Sequence, residues 1–191
     1  LRRAANKGAQ VIDLEGIAVH RGSLLGLEPG RVQPAQRQFE SILHNTIRRF
    51  DPDRPVFIEA ESNKVGECHI APALWQQMRG AKSVLLDVPV SARVEFLLQD
   101  YQHVIDEPQR LAPLLSWVTT RIGHDAVAAW RQYIETSDWP SFVARVLEDH
   151  YDPAYDRSAA KRDHEDIARI TSDNLDEDAI DALSTQLCEM R

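Results

Sequence analysis

Short apolar runs alternate with amphipathic stretches through the first 108 residues. Gln10-Val11-Ile12-Asp13-Leu14, Val56-Phe57-Ile58-Glu59 and Ser83-Val84-Leu85-Leu86-Asp87-Val88 are rich in β-branched residues, too short for helices, and reach an acid or a proline at their ends. Each predicts a buried strand. Between the first two, Phe39, Ile42, Leu43, Thr46, Ile47 and Phe50 recur at helical spacing. Pro72 opens a shorter helix with Leu74, Trp75 and Met78, and Val94, Leu97, Leu98, Tyr101, Val104 and Ile105 mark another. Strands alternating with helices predict an α/β chain with a parallel sheet. From about residue 109 the pattern is helical only. Its stripes are Leu111/Leu114/Leu115/Val118/Ile122, Val127/Trp130/Ile134 and Phe142/Val143/Val146/Leu147. Asp138 before Trp139-Pro140 is the expected N-cap of the third helix, and Tyr151-Asp152-Pro153 its expected stop. Trp75, Trp117, Trp130 and Trp139 stand among aliphatics and are expected in the core. The stretch 156–191 is charged, with weak apolar spacing at Ile167/Ile170 and Ile180/Leu183/Leu187, and predicts two peripheral helices.

The expected organisation is an α/β portion over 1–108, a helical extension packed on it over 109–160, and acidic peripheral helices over 161–191. Leu1 to about Lys7 reads as a helix closed by Gly8. The sequence thus opens inside an element, and a portion of a longer polypeptide is expected.

Charge refines this picture. The 191 residues carry a formal net charge of −8, unevenly spread. Residues 1–60 hold 9 Lys+Arg against 7 Asp+Glu, residues 61–139 hold 7 against 10, and residues 140–191 hold 6 against 13. An anionic polymer would have to be met by a local basic surface in the first third. The acidic tail reads as a solvated helical face. No apolar run reaches the ~18–20 residues of a membrane span. Two cysteines, Cys68 and Cys188, make no disulfide framework, and a reducing cytoplasm is the expected compartment.

In open parallel sheets ligands gather beyond the carboxyl ends of the strands. After strand one come Asp13 and Glu15, then His20-Arg21-Gly22-Ser23 and a loop with Gly26, Pro29 and Gly30; after strand two come Glu59 and Glu61. Glu59 and Glu61 fall on one side of an extended backbone and could share a Mg²⁺ in the manner of a Walker B strand. The alternative is that one or both cap the next segment or pair with Arg. In the His20–Ser23 turn, Arg offers a planar fork for phosphate, Gly a close backbone approach and Ser a hydroxyl. His20 alone reads as a hydrogen-bonded loop histidine. The seven histidines lack metal-ligand spacing, so no zinc site is expected. Cys68 has no evident base beside it.

No G-x-x-x-x-G-K-S/T loop occurs in the sequence. Yet the chain runs through a strand, a long loop, a helix, a Walker-B-like strand, a helix, a strand ending in Asp87-Val88-Pro89 and a helix with Arg93. That order is the one found downstream of such a loop. The expected fold is therefore a kinase-like P-loop NTPase α/β fold, truncated at its N-terminus so that the first strand and the Walker A loop are missing.

Several stretches together resemble the tRNA 2-selenouridine synthases, also described as tRNA 2-thiouridine geranyltransferases. They are Val11-Ile12-Asp13-Leu14-Glu15-Gly16 with His20-Arg21-Gly22-Ser23, and Gln33-Pro34 with Gln36, Phe39 and Glu40. Further along come Phe57-Ile58-Glu59-Ala60-Glu61-Ser62 with Val65-Gly66, Pro72-Ala73-Leu74-Trp75 with Met78, and His150-Tyr151-Asp152-Pro153-Ala154-Tyr155. Their joint order spans about 11–158. The resemblance implies a P-loop domain that follows a rhodanese-like domain bearing the catalytic cysteine. It also implies conversion of wobble 2-thiouridine in tRNA to 2-selenouridine with selenophosphate, through a geranylated intermediate made from geranyl diphosphate. Carried over, Glu59 and Glu61 are the Walker-B-like Mg²⁺ carboxylates and Asp13 and Glu15 the acids near the phosphate site. His20, Arg21, Gly22 and Ser23 line the substrate loop, with Arg21 holding a diphosphate. Whether a nucleotide binds is left open, and the portion in hand is expected to be inactive alone. Two other readings compete. A P-loop small-molecule kinase would use Leu86-Asp87-Val88-Pro89 with Arg93, and a non-catalytic helical module over 109–160 would dock tRNA or a partner.

Overall fold

A computed structural model describes residues 1–23, 26, 30–59, 62–159 and 166–190. In chain order the elements begin with α1 (Arg2–Asn6), β1 (Gln10–Ile12), α2 (Leu14–Ala18), α3 (Gln36–Ile47), β2 (Val56–Ile58), β3 (Lys64–Val65), β4 (Cys68–His69) and α4 (Pro72–Gly80). They continue with β5 (Ser83–Asp87), α5 (Val90–Asp100), α6 (Gln102–Ile105), α7 (Leu111–Ile122), α8 (His124–Glu135), α9 (Trp139–Val146), α10 (Asp152–Ala159), β6 (Asp166–Thr171) and α11 (Glu177–Glu189). The chain is α/β, as its alternation predicts, with a helical later part. Two compact units form: Leu1–Val84 with Asp166–Ala168 and Glu177–Arg191, and Leu85–Glu165 with Arg169–Asp176.

In the first unit β1 and β2 pair in parallel, Gln10 opposite Val56, Val11 opposite Phe57 and Ile12 opposite Ile58. Helix α3 packs on β1, α2 and β4. Phe39 and Leu43 are its buried residues, whereas Ile42 and Ile47 stay exposed, so the stripe that enters the core is narrower than its spacing suggests. Ile12, Leu14, Ala18, Val65, Cys68 and Ile70 complete the core. Glutamine side chains close its irregular backbone. Gln10 is buried; it donates to the Asp51 and Arg54 carbonyls, both at 3.1 Å, and accepts from the Asp51 amide at 2.6 Å, which shapes the turn ahead of β2. The antiparallel β3–β4 hairpin, which no apolar run announces, is held by Gln33 and Gln36. Gln33 donates to the Ala18 and Val65 carbonyls and accepts from the Glu67 amide at 3.0 Å. Gln36 bonds both backbone groups of His69 at 2.8 Å. Gly66 sits at φ +59°, where glycine is favoured, and a Cβ there would press on the Gln33 amide.

The acidic tail departs from expectation in one element. Residues 166–171 form a strand paired with β5, not a helix: Ile167, Ile170 and Thr171 are β-branched and suit a paired strand. Helix α11 forms as expected, its acids Glu177 and Asp181 largely exposed. It packs on α1, with Asp181 2.8 Å from Lys7 and Glu177 3.3 Å from Arg3.

The second unit is mainly helical. Helix α5 packs on α9, α7 on α8, and α8 on α9, around Val94, Leu111, Leu115, Val118, Val127, Trp130 and Phe142. Asp138 caps α9, accepting from the Ser141 amide. The expected stop at Tyr151-Asp152-Pro153 does not occur. A π-helical turn, Leu147–Tyr151, runs into α10, with the Asp152 amide bonded to the Leu147 carbonyl. That wider turn changes the bonding register just before Pro153, which has no amide to give. Trp130 is in the core as expected; Trp117 is not, being 41% exposed. No described helix is long and apolar enough to cross a membrane.

Candidate functional site

The parallel register of β1 and β2 places the residues just beyond Ile12 and Ile58 side by side at the strands' carboxyl ends. These are Asp13 and Glu59. Asp13 is the N-cap of α2: its Oδ1 accepts from the Gly16 amide at 2.7 Å and its Oδ2 from Arg2 Nε at 2.7 Å. Gly16 leaves room for the Asp13 carboxylate, which a Cβ there would push aside. Glu59 Oε2 accepts from the Leu14 amide at 3.0 Å.

The two carboxyl groups lie close enough for each to perturb the other's ionisation. Burial pushes Glu59 up to about 7; the Asp13 charge pushes the same way, and the Leu14 amide opposes both. Burial would raise Asp13 too, but the Arg2 hydrogen bond, the Gly16 amide and the Arg2 charge outweigh it and hold Asp13 below its ordinary value. Near neutral pH the pair therefore carries between one and two negative charges.

At the other end of α2, about 7–8 Å away at a 1.5 Å rise per residue, the helix closes in a Schellman motif. The His20 amide bonds the Glu15 carbonyl and the Val19 amide the Gly16 carbonyl. Val19 sits in the left-handed region at φ +52°, where glycine is usual and a β-branched residue is strained. His20 is buried, and its Nδ1 accepts from the Gly22 amide at 3.1 Å. Burial lowers its pKa, so the neutral ring carries its proton on Nε2. Gly22 turns at φ +67°. The Arg21 amide bonds the Gly26 carbonyl at 2.9 Å and the Ser23 amide the Arg21 carbonyl at 2.7 Å. The backbone amides of 21–23 are thus spent inside the turn, and an anion here would be met by side chains.

The structure thus joins Asp13 with Glu59, a pair that sequence spacing does not suggest; the register of two strands 46 residues apart makes it. Glu15 lies in the first turn of α2. His20, Arg21, Gly22 and Ser23 form their own turn at its far end. Glu61 and Pro29 lie outside the described residues. Cys68 is buried, its Sγ 3.5 Å from the Pro34 carbonyl, with burial and Glu67 raising its pKa; a thiol so placed is a poor nucleophile. Arg93 is bound bidentately by Asp152, 2.7 Å at each oxygen.

Asp13 and Glu59 are hard oxygen donors of the kind Mg²⁺ takes one or two at a time beside substrate phosphates. Each Asp13 oxygen keeps a lone pair beyond its present bond, and the proton that Glu59 holds up to about pH 7 is what a dication would displace. The donor set fits. Among the described residues no group of three or more His, Cys, Asp and Glu is placed to hold a metal ion.

The pattern of the family described as tRNA 2-selenouridine synthase AAA domain matches residues 3–112. The tRNA 2-selenouridine synthase of Alcanivorax borkumensis is 27% identical over 188 residues, covering 84% of this chain and 52% of that protein. The protein of the same name from Shewanella loihica is 28% identical, covering 80% and 48%. That from Aeromonas salmonicida is 41% identical over 96 residues, covering 49% and 26%. The chain spans about half the length of the first two, and no solved structure matches it.

Proposed function

The chain belongs to the tRNA 2-selenouridine synthase AAA-domain family, and from that premise we propose that it is the phosphate-handling P-loop portion of an enzyme that converts wobble 2-thiouridine in tRNA to 2-selenouridine. The substrates of the longer protein in this reading are tRNA, selenophosphate and geranyl diphosphate, and the intermediate is a geranylated thiouridine. The chain alone lacks the activity.

The observation that carries this reading is the Asp13–Glu59 pair at the carboxyl ends of two parallel strands, where phosphate chemistry collects in such sheets. A Mg²⁺ held by Asp13 and Glu59, with Glu61 two residues on, would neutralise charge growing on a diphosphate leaving group. The residues of the chain do the rest. Glu59 would release its proton to solvent where a dication binds, since a cation favours the carboxylate while phosphate alone would oppose it. Arg2 stays on Asp13 and keeps that carboxylate ionised. Arg21 reaches the diphosphate from the His20–Ser23 turn, and His20 fixes the turn through Gly22. The geranyl carbon–oxygen bond breaks with its electron pair going to diphosphate, while the thiouridine sulfur bonds the carbon. The kinase reading loses its arginine, since Arg93 is engaged by Asp152.

The test is the wobble nucleoside content, by mass spectrometry, of cells lacking the parent gene and complemented with the full-length protein or its variants. Glu59→Gln, Glu61→Ala and Arg21→Ala are expected to abolish or strongly reduce 2-selenouridine. Full conversion by all three variants would remove the site from the reaction. No conversion by the wild-type protein, with selenophosphate supplied, would remove the reaction itself.

A further inference from the structure

The helical unit holds a cleft that the Asp13–Glu59 site does not use. It measures about 210 Å³ and is lined by Arg121, Asp149, His150 and Arg157 over small apolar side chains such as Ala126 and Ala154. That is below the 300–1,000 Å³ of pockets that enclose whole small-molecule ligands, and suits a single anionic group.

Four arginines of the unit, Arg93, Arg110, Arg145 and Arg169, each pair with a carboxylate. Arg121 and Arg157, like Arg131 outside the cleft, pair with none among the described residues; what sets these two apart is that they face one cleft together. Asp149, the acid in the cleft wall, is already spent: Oδ2 accepts from Trp130 Nε1 at 3.0 Å and Oδ1 pairs with Arg145 at 2.9 Å. His150 lies half-buried between the two arginines. Burial, then the charges of Arg121 and Arg157, hold it below its ordinary pKa, so both guanidinium groups act on the space the ring occupies.

An aromatic group stands beside this positive cleft. The Arg121 guanidinium lies 3.9 Å over the Trp117 ring, which is 41% exposed and meets His150 edge-on at 6.3 Å. Two guanidinium forks without carboxylates, beside an exposed indole, are the elements with which proteins hold a phosphodiester and stack its base.

We propose that the Arg121–Arg157–His150 cleft binds a phosphate group, with Trp117 beside it as the platform for an attached base. The phosphate could come from an RNA backbone or from a free inorganic anion. Only the choice of RNA as a source rests on the tRNA reading.

Fluorescence anisotropy of a labelled single-stranded oligoribonucleotide with the full chain, competed by inorganic phosphate and diphosphate, tests this. Arg121→Ala and Arg157→Ala are each expected to weaken binding about tenfold and to lower the salt slope by roughly one. Arg131→Ala, on α8 and outside the cleft lining, should leave binding unchanged. Trp117→Leu should weaken the oligonucleotide but not inorganic phosphate. Calorimetry with phosphate alone separates the sources: dependence on both arginines for phosphate without oligonucleotide binding makes the free anion the ligand. Absence of binding by both probes, or equal losses in Arg131→Ala, overturns the site. Because no selenouridine is read out, either result leaves the nucleoside assay to stand or fall by itself.

Discussion

Each unit holds a partly buried charge pair, Asp13–Glu59 at the ends of two strands and Arg93–Asp152 between two helices. Their signs differ, and with them their consequences. Arg93 and Asp152 are opposite charges in bidentate contact at 2.7 Å, and each completes the other. Asp13 and Glu59 are like charges, and burial beside ionised Asp13 keeps Glu59 largely protonated below about pH 7. A closed pair holds a fold together. A like-charged pair stores an unmet demand for a cation, and its cost to stability is what makes it suited to bind one.

Breaking the closed pair should have the largest effect. Asp152→Ala leaves the Arg93 guanidinium half-buried and unpaired, beside an Nε that already lacks a partner. Both side chains keep about a third of their surface, so the loss should be about 2–3 kcal/mol in urea unfolding, less than for a fully buried pair.

The like-charged pair should behave oppositely. Glu59 has its folded pKa raised to about 7 from the ordinary value of 4.5. Its protonated form is therefore favoured by folding. The stability it contributes is complete below pH 4.5 and is lost as the pH rises to 7 and beyond, a decline of about 2–3 kcal/mol. Asp13, with its folded pKa lowered, acts in a different window, contributing above its unfolded value near 3.8 and losing that contribution in acid. Glu59→Gln should flatten the decline between pH 4.5 and 7 and leave the variant about 2 kcal/mol more stable than wild type at pH 8. Denaturant midpoints across that range check it; a variant less stable at pH 8 would break the contrast between the pairs.

Smaller effects sharpen the picture of how the first unit positions its site. Gln33→Leu strips partners from the Ala18 and Val65 carbonyls and the Glu67 amide, and should cost about 2 kcal/mol in denaturant unfolding. Val19→Gly should stabilise by about 1 kcal/mol, because it releases the left-handed strain at the end of α2. If it also lowers nucleoside conversion in the full-length protein, the strain serves the His20–Ser23 turn.

The sequence shows much of this and hides the rest for identifiable reasons. Strands β1, β2 and β5 and most helices are legible because apolar spacing is local. Asp13 and Glu59 are legible as strand-end acids. Their partnership is not, because it depends on which strand lies beside which; local reasoning joins Glu59 to Glu61 instead. The Ile167/Ile170 spacing fits a helix as well as a strand, and pairing with β5 decides it. Gln10, Gln33 and Gln36 read as surface polar residues, yet they satisfy backbone that no ladder reaches. Trp117 falls in a helical stripe of aliphatics, but the ring stays partly in solvent with Arg121 over it.

The candidate site stands on Asp13 and Glu59 forming a coupled pair in which Glu59 holds its proton up to near neutral pH. Carbon-detected NMR titration of the Glu59 carboxyl, with and without Mg²⁺ and diphosphate, measures it directly. The midpoint is expected near 7 and should fall by about a unit or more when Mg²⁺ and diphosphate are added. An ordinary carboxylate midpoint, unmoved by either addition, would contradict the pairing.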